Sequence, residues 1–402
     1  MKKQFSFTIT SRLGGDSLAR TGTIATPNGE IKTPAFIVVG TKAAVKAMVP
    51  EQVSALGAQA VLANAYHLYL QPGHKTVEKA GGLHAFMNWH KPTFTDSGGF
   101  QVLSLGSGFK KVLTMTTDVS EEIAIAKKGE RHAWVHEDGV VFKSHLSGER
   151  HQFTPEVSMQ IQHSLGADIC FAFDELTSLM DSYDYQVESL VRTHRWAVRS
   201  LAEMRRLQAK APEKPYQALF GVLQGAQHED LRKQAATFMA SQDFDGYGIG
   251  GALEKNDMPK IIRWVNEILP EEKPRHLLGI SEPEDIFAAI EQGIDTFDCV
   301  SPTRIARNGT AYTAKGKINV RNAKYKELFE PVEADCPCYT CKNYTLAYLC
   351  HLLRAKETLA GTLLSIHNEY FIVHLVDSIR ESIENGTFYD YRDNFLRHYY
   401  RK

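Results

Sequence analysis

The feature that most constrains this chain is a rhythm. From about residue 50 to residue 300, short apolar runs alternate with stretches of helical periodicity. The runs are Ala60–Ala63, Pro92–Thr95, Asp168–Phe173, Gln217–Leu223, Phe244–Ile249, His276–Ile280 and Thr296–Val300. Between them lie helical segments, the first starting near Pro50, then Thr154–Leu165, Tyr185–Ala209, His228–Ala240, Met258–Leu269 and Pro283–Gln292. Thr154 and Pro155 suit an N-cap and a first helical position. Near-continuous apolar strands joined by helices require a parallel sheet buried on both faces. About eight strands fit, which favours a (β/α)8 TIM barrel over an open sheet. Residues 4–39 read as short N-terminal β elements, with a turn at Pro27-Asn28-Gly29. Residues 131–153 interrupt the rhythm: Ala133–His136 and Val140–Lys143 flank Glu137-Asp138-Gly139, an inserted β-hairpin.

Polar residues fall where such a barrel would use them. Asp96, Asp174, Gln224 and Asp298 each close a different apolar run. The C-terminal ends of barrel strands converge on one face, where active sites are built. Each could singly be a structural cap; four together point to a pocket. In Gly293–Gly309 an apolar run carries Asp298, breaks at Pro302, and releases Arg304 and Arg307 into a loop closed by Gly309. That pattern suits an anionic substrate with a nucleophile or base beside it; a structural Asp–Arg pair is the plainer reading. In Asp96-Ser97-Gly98-Gly99-Phe100-Gln101, two glycines let the backbone approach a ligand, or else make a tight turn. Gly246–Gly251 has the dinucleotide-fingerprint spacing, but it lies late in the β/α series. It is better read as backbone set against a flat ligand.

Cys336, Cys338 and Cys341 form the most specific local signal. Three thiolates at that spacing plus a histidine make a closed tetrahedral zinc site, structural in kind. His367 is the expected fourth ligand and His351 its competitor. The site defines a zinc-binding subdomain at about residues 310–385 within one catalytic domain spanning 1–402. Cys170, Cys299 and Cys350 sit in apolar runs and read as core. Six cysteines with three so clustered fit a metal site in a reducing compartment. Formal net charge is −1, so a nucleic-acid partner must meet a local basic patch. One is offered by Arg304, Arg307, Lys315, Lys317, Arg321, Lys324, Lys326 and Lys342, interleaved with Tyr312, Tyr325 and Tyr339, unless these form a merely solvated face. Beyond the zinc loop, Tyr344–Ala355, Leu359–Phe371 and Phe371–Asn385 read as three helices, the first apolar enough for a subunit interface, with packing on the barrel the plain alternative. Neither a secretory segment nor a membrane-length apolar run is visible, which leads us to expect a cytoplasmic protein.

Together, Thr95–Gln101, Phe173-Asp174-Glu175, Val222–Gly225, Gly250-Gly251, Phe297–Val300, Pro302-Thr303-Arg304, Arg307-Asn308-Gly309 and the Cys/His set resemble the tRNA-guanine transglycosylases. The motifs occur in order from about residue 5 to the C-terminus, and the length resembles the bacterial and eukaryotic catalytic-subunit type. The resemblance implies a pentosyltransferase that exchanges guanine at the wobble position of GUN-anticodon tRNAs (Asp, Asn, His and Tyr) for a 7-deazaguanine, without ATP, in queuosine biosynthesis. It implies Asp298 as nucleophile on the ribose C1′ and Asp96 as general acid/base. Asp174, Gln224, Gly251 and Ala252 would read the base edge, with Ser97 beside them and Phe100 stacking. Arg304, Arg307 and Asn308 would contact RNA, and Cys336, Cys338, Cys341 and His367 would hold one zinc ion. A homodimer is implied too.

The chain departs from the family pattern at Phe100, Leu176 and Gly225-Ala226, and most of all over Gly250–Lys255, a loop that touches the 7-substituent. Val45 resembles the preQ1 type, so preQ1 is favoured slightly, with queuine the rival. The alternatives from other classes are a non-catalytic RNA-binding subunit of the same fold, which would be expected to lack an aspartate or a zinc ligand, and a hydrolase of free nucleosides.

Overall fold

A computed structural model describes residues 5–101, 133–251 and 254–400. Three antiparallel strands come first: β1 (Ser6–Arg12), β2 (Arg20–Thr26) and β3 (Gly29–Thr33). Then β4 (Ala35–Val39), β5 (Val61–Ala63) and β6 (Thr93–Thr95) begin the barrel. An excursion follows, containing β7 (Ala133–His136), β8 (Gly139–Lys143) and β9 (Arg150–Phe153). The barrel resumes with β10 (Ile169–Phe171), β11 (Ala218–Leu223), β12 (Gly246–Ile249), β13 (Arg275–Leu278) and β14 (Thr296–Cys299). Its eight strands are parallel and the ring is closed, with β10 paired to β6 and β14 paired back to β4. The expected (β/α)8 barrel is the observed fold.

Why these residues form such strands is visible in their burial. All residues of β4, β5, β6, β10, β11 and β12 are buried. Side chains of one parity fill the lumen, where Phe94, Phe171 and Phe220 meet at ring-centroid distances of 6.4 and 5.7 Å. The other parity packs under the helices. Thr154 caps helix Pro155–Leu165 through its hydroxyl, as its position predicted.

The N-terminal sheet plugs one end of the barrel. Phe5, Ile24 and Ile31 share a core with the lumen residues Ile37, Phe94, Phe171 and Phe220. A buried ion pair clamps the plug: Arg20 donates from Nε and Nη2 to the two oxygens of Asp295 at 2.9 and 2.7 Å. Asp295 also accepts from the Arg275 backbone N–H at 2.8 Å.

Three expectations need correction. The hairpin insertion is a three-stranded antiparallel sheet, because β9 pairs with β8 through Val140 and Phe153; positions 131 and 132 lie outside the described residues. Leu359–Glu384 is one continuous helix, not two, since after Gly361 the sequence holds neither glycine nor proline to break it. Arg304 and Arg307 lie on a short helix, Ser301–Arg307, not in a loop: Pro302 falls in the first turn, where its missing N–H costs nothing. A second core, distinct from the barrel's, gathers Ala306, Ala311, Val320, Cys338, Cys341, Leu349 and Leu364 around the cysteine loop. Cys170, Cys299 and Cys350 are buried, as expected.

Removing one partner of a buried pair strands the other charge. Asp295→Ala should therefore lower stability by about 3–5 kcal/mol, read as a fall in the denaturant midpoint.

Candidate active site

The strand ends deliver four polar groups to one mouth. Asp96 follows β6 directly. Its Oδ1 accepts from the Ala65 backbone N–H at 2.8 Å, and its Oδ2 accepts from the Asn64 amide. Asn64 stands just past β5 and also caps helix Ala65–Leu70 by accepting from His67 N at 2.9 Å. Burial pushes the Asp96 carboxyl up to about 7; the negative charges of Asp298 and Asp174 add to this, while the Ala65 and Gly98 N–H groups oppose it.

Asp174 lies beyond β10. Its Oδ1 accepts from Ser97 Oγ at 3.2 Å and its Oδ2 from Gln224 Nε2 at 2.6 Å. Burial raises it to about 6. The Gln224 Oε1 atom is buried without a hydrogen-bond partner. Ser97, Asp174 and Gln224 thus form one hydrogen-bonded row of donors and acceptors.

Glycines shape the walls of this row. A Cβ on Gly99 would lie 2.9 Å from the Asp174 carbonyl oxygen. One on Gly251, whose φ is +98°, would lie 2.9 Å from Gln224 Oε1. Beneath sits Arg232, fully buried, donating to the carbonyls of Leu223, Ala226 and Gly250 at 3.2, 2.7 and 2.8 Å. That clamp holds Ala226 at φ +48°, a conformation better suited to glycine, which accounts for how Gly225-Ala226 can stand in place of two glycines.

Asp298 occupies the third position of β14, with 14% of its side chain exposed. His276 Nε2 stands 3.1 Å from its Oδ1. Among the described residues no ion pair joins Asp298 to Arg304 or Arg307, so the structural Asp–Arg pairing is not formed. Arg304 and Arg307 are half-buried on their helix and Asn308 is exposed at its end. Phe100 is exposed at the rim. Ala252 lies outside the described residues.

Val45 is buried in the outer core with Met48, Val53 and Trp89. Tyr312 and Tyr325 are buried too, and Tyr312 stacks on Phe371, so of the three interleaved tyrosines only Tyr339 offers a free face. Lys317 pairs with Glu282 and lies over the Tyr312 ring. Burial of ring faces is invisible in a sequence where lysine and tyrosine merely alternate.

Cys336, Cys338, Cys341 and His367 bring their ligand atoms within 4.8 Å of one another. His367 Nδ1 lies 3.9, 3.6 and 3.3 Å from the three sulfurs. With Zn–S near 2.3 Å and Zn–N near 2.0 Å, a tetrahedral cage has edges of about 3.5–3.8 Å. The four donors fit zinc. His367 Nε2 donates to the Tyr312 carbonyl at 2.7 Å, which fixes the tautomer and turns the Nδ1 lone pair toward the sulfurs. His351, the competitor, is exposed and outside the cage.

Three site residues escaped the sequence reading. Asn64 obeys the strand-end rule that found the others and could have been found by it. His276 shares the inward parity of Thr296, its partner in register, a signal visible only once β13 and β14 are aligned. Arg232 sits in an apolar helix stripe with Leu231, Ala235 and Met239, where an arginine is anomalous.

A closed parallel barrel that carries Asp96, Asp174, Gln224 and Asp298 at its strand ends, with a cage of three cysteines and a histidine beyond it, has the architecture of a barrel enzyme. A family profile described as Queuine tRNA-ribosyltransferase matches residues 16–401. Relatives named Queuine tRNA-ribosyltransferase are similar along nearly the whole chain. That of Thermoanaerobacter pseudethanolicus is 46% identical over 384 residues, covering 95% of this chain and 94% of its own. That of Halothermothrix orenii is 45% identical over 387 residues, covering 96% and 95%. That of Pelotomaculum thermopropionicum is 44% identical over 397 residues, covering 98% of each. The chain belongs to the queuine tRNA-ribosyltransferase family.

A zinc ion held by these four ligands would contribute folding energy, because the ligands converge only in the folded subdomain. Chelation at neutral pH should speed amide exchange in the core around residues 306–364 by at least about tenfold, while β10–β13 keep their protection.

Proposed function

We propose that this enzyme exchanges guanine at the wobble position of GUN-anticodon tRNAs for a 7-deazaguanine by two displacements at the ribose C1′. The observation that carries the reading is the meeting of Asp96, Asp174, Gln224 and Asp298 at one barrel mouth, with Asp96 pushed to about 7. In the first displacement a carboxylate oxygen of Asp298 forms a bond to C1′ and the C1′–N9 bond breaks. The leaving guanine takes the proton of Asp96. In the second, Asp96 as carboxylate removes a proton from the incoming base, whose N9 bonds to C1′ and releases Asp298. Two inversions give retention, as in retaining glycosidases. The target nucleotide must leave the stack to reach so recessed a pocket.

Asp174 and Gln224, with Ser97 and the backbone at Gly251 and Ala252, would hold either base by the edge they share. That common edge is what makes exchange possible in one site. Phe100 at the rim supplies a stacking face. Arg304, Arg307 and Asn308, on the helix leaving β14, would meet the RNA backbone. Cys336, Cys338, Cys341 and His367 would hold one zinc ion; when bound it ties the cysteine loop to the long helix, with no part in the displacements.

The resemblance of Val45 favours preQ1 slightly over queuine as the incoming base. A cytoplasmic site of action fits a tRNA substrate, and no helix among the described residues is long and apolar enough to cross a membrane. A homodimer is supported by Tyr339 and Tyr348, exposed by 53% and 39% on the zinc side.

Labelled guanine in such a tRNA should be displaced by preQ1 or queuine, preQ1 the faster in competition; displacement by neither sinks the reading. Asp298→Asn should abolish the covalent RNA adduct, and an adduct that persists in this variant would reassign the nucleophile. Asp96 must be protonated in the first step and ionised in the second. Its pKa is raised, so the acid form is present below about 7 and lost above it. Adduct formation should accordingly fall about tenfold per pH unit above about 7, with the opposite limb for adduct decay, and Asp96→Asn should remove both limbs. In sedimentation, the wild type should run as a dimer and Tyr348→Glu as a monomer.

A further inference from the structure

His276 is fully buried inside the barrel, its ring lying against Phe94 and Phe171 at centroid distances of 5.7 and 5.1 Å. Both its nitrogens are engaged. Nδ1 lies 3.0 Å from Thr296 Oγ1 and Nε2 lies 3.1 Å from Asp298 Oδ1. Thr296 and Asp298 are two positions apart on β14, so both face the lumen, and Thr296 pairs in register with His276 on β13.

A neutral imidazole carries one N–H. Placed on Nε2, it donates to the carboxylate while Nδ1 accepts the threonine hydroxyl, and both contacts are satisfied. Placed on Nδ1, it would set a lone pair against the carboxylate oxygen. The charge of Asp298 therefore selects the Nε2–H tautomer, and Thr296 supports it. The result is one N–H aimed at Oδ1, leaving Oδ2 to react.

We propose that His276 is a positioning residue that makes Asp298 a better leaving group in the second half of the exchange; this rests on the reading of Asp298 as nucleophile. In the covalent intermediate Oδ2 is bonded to C1′ and Oδ1 is an ester carbonyl, a modest acceptor. When the incoming N9 attacks, the Oδ2–C1′ bond breaks and its electron pair returns to the carboxylate. The proton of the incoming base goes to Asp96. Negative charge grows on Oδ1 during this step, and the hydrogen bond from Nε2 strengthens with it. In the first half the same bond weakens as charge leaves Oδ1, so it gives formation no help beyond orientation. An interaction that strengthens only on the way to one transition state accelerates that step alone.

The test is single-turnover kinetics of the covalent adduct on tRNA, formation and decay timed separately. His276→Leu should slow decay by at least about tenfold, the worth of a hydrogen bond to a charged group, and leave formation within about threefold. Adduct should then accumulate at steady state. His276→Gln, whose amide N–H reaches the Nε2 position, should restore most of the decay rate. Thr296→Val, which frees the tautomer without removing the ring, should fall between. Decay at the wild-type rate in His276→Leu overturns the proposal. So does an equal fall in formation and decay, which would mark simple displacement of Asp298. Should His276→Leu not fold, His276→Asn, whose N–H reaches only the Nδ1 position, replaces it, and equal decay in the Asn and Gln variants overturns the proposal. An adduct surviving Asp298→Asn would instead remove the underlying reading, a separate outcome from any of these.

Discussion

Closure of eight parallel strands is the constraint on which this molecule rests. A ring of that size has a lumen that side chains must fill, here Phe94, Phe171, Phe220 and His276. Water is thereby excluded below the mouth, and any carboxylate at a strand end stands over a low-dielectric floor. Asp96 and Asp174 are both raised chiefly by burial, to about 7 and about 6. Their partners are neutral: Asn64 and the Ala65 backbone for one, Ser97 and Gln224 for the other. A salt bridge would have undone this by holding the carboxylates ionised. Among the described residues no ion pair forms with either carboxylate: Arg232 is turned to backbone carbonyls, and Arg304 and Arg307 lie on the helix after β14.

The barrel was legible because its signal repeats. Each buried strand is an apolar run, each helix a periodic one, and the period of the alternation carries the topology. The strand-end rule located the polar mouth for the same reason. The candidate metal ligands were legible from spacing, and the choice between His367 and His351 fell as geometry requires. What stayed hidden depends on register or on packing. β9 contains Arg150, His151 and Gln152, a polar strand that exists because β8 offers it an edge. His276 comes to face Asp298 only through the register that sets it opposite Thr296. Tyr312 is core because Phe371 lies against it, a contact made across 59 residues of chain, counting from 312 to 371. Arg232 is explained by three carbonyls that converge on it from the end of β11, the turn after it and the residue that follows β12.

The departures from the family pattern acquire physical meaning in the same way. Ala226 holds a left-handed conformation because Arg232 grips its carbonyl. The wall beside Gln224 is thus supported from behind by a charge that has no carboxylate partner among the described residues, one that burial itself holds below its ordinary basicity, to about 9.

One feature joins the two ends of the molecule. Helix Leu359–Glu384 runs from the zinc core to the barrel wall, where Val373 approaches Gly57. Along it His367 faces the sulfur cage, and the next residue, Asn368, donates to the carbonyls of Pro302 and Thr310 at 3.1 and 3.0 Å and accepts from Tyr312 N at 3.0 Å. Pro302 is four residues from Asp298. The candidate metal ligand His367 and the brace on the helix that follows Asp298 are therefore neighbours on one rigid rod. The cage serves as a surveyor's benchmark: the position of Asp298 is referred to it, so a shift of the rod at one end is an error of placement at the other.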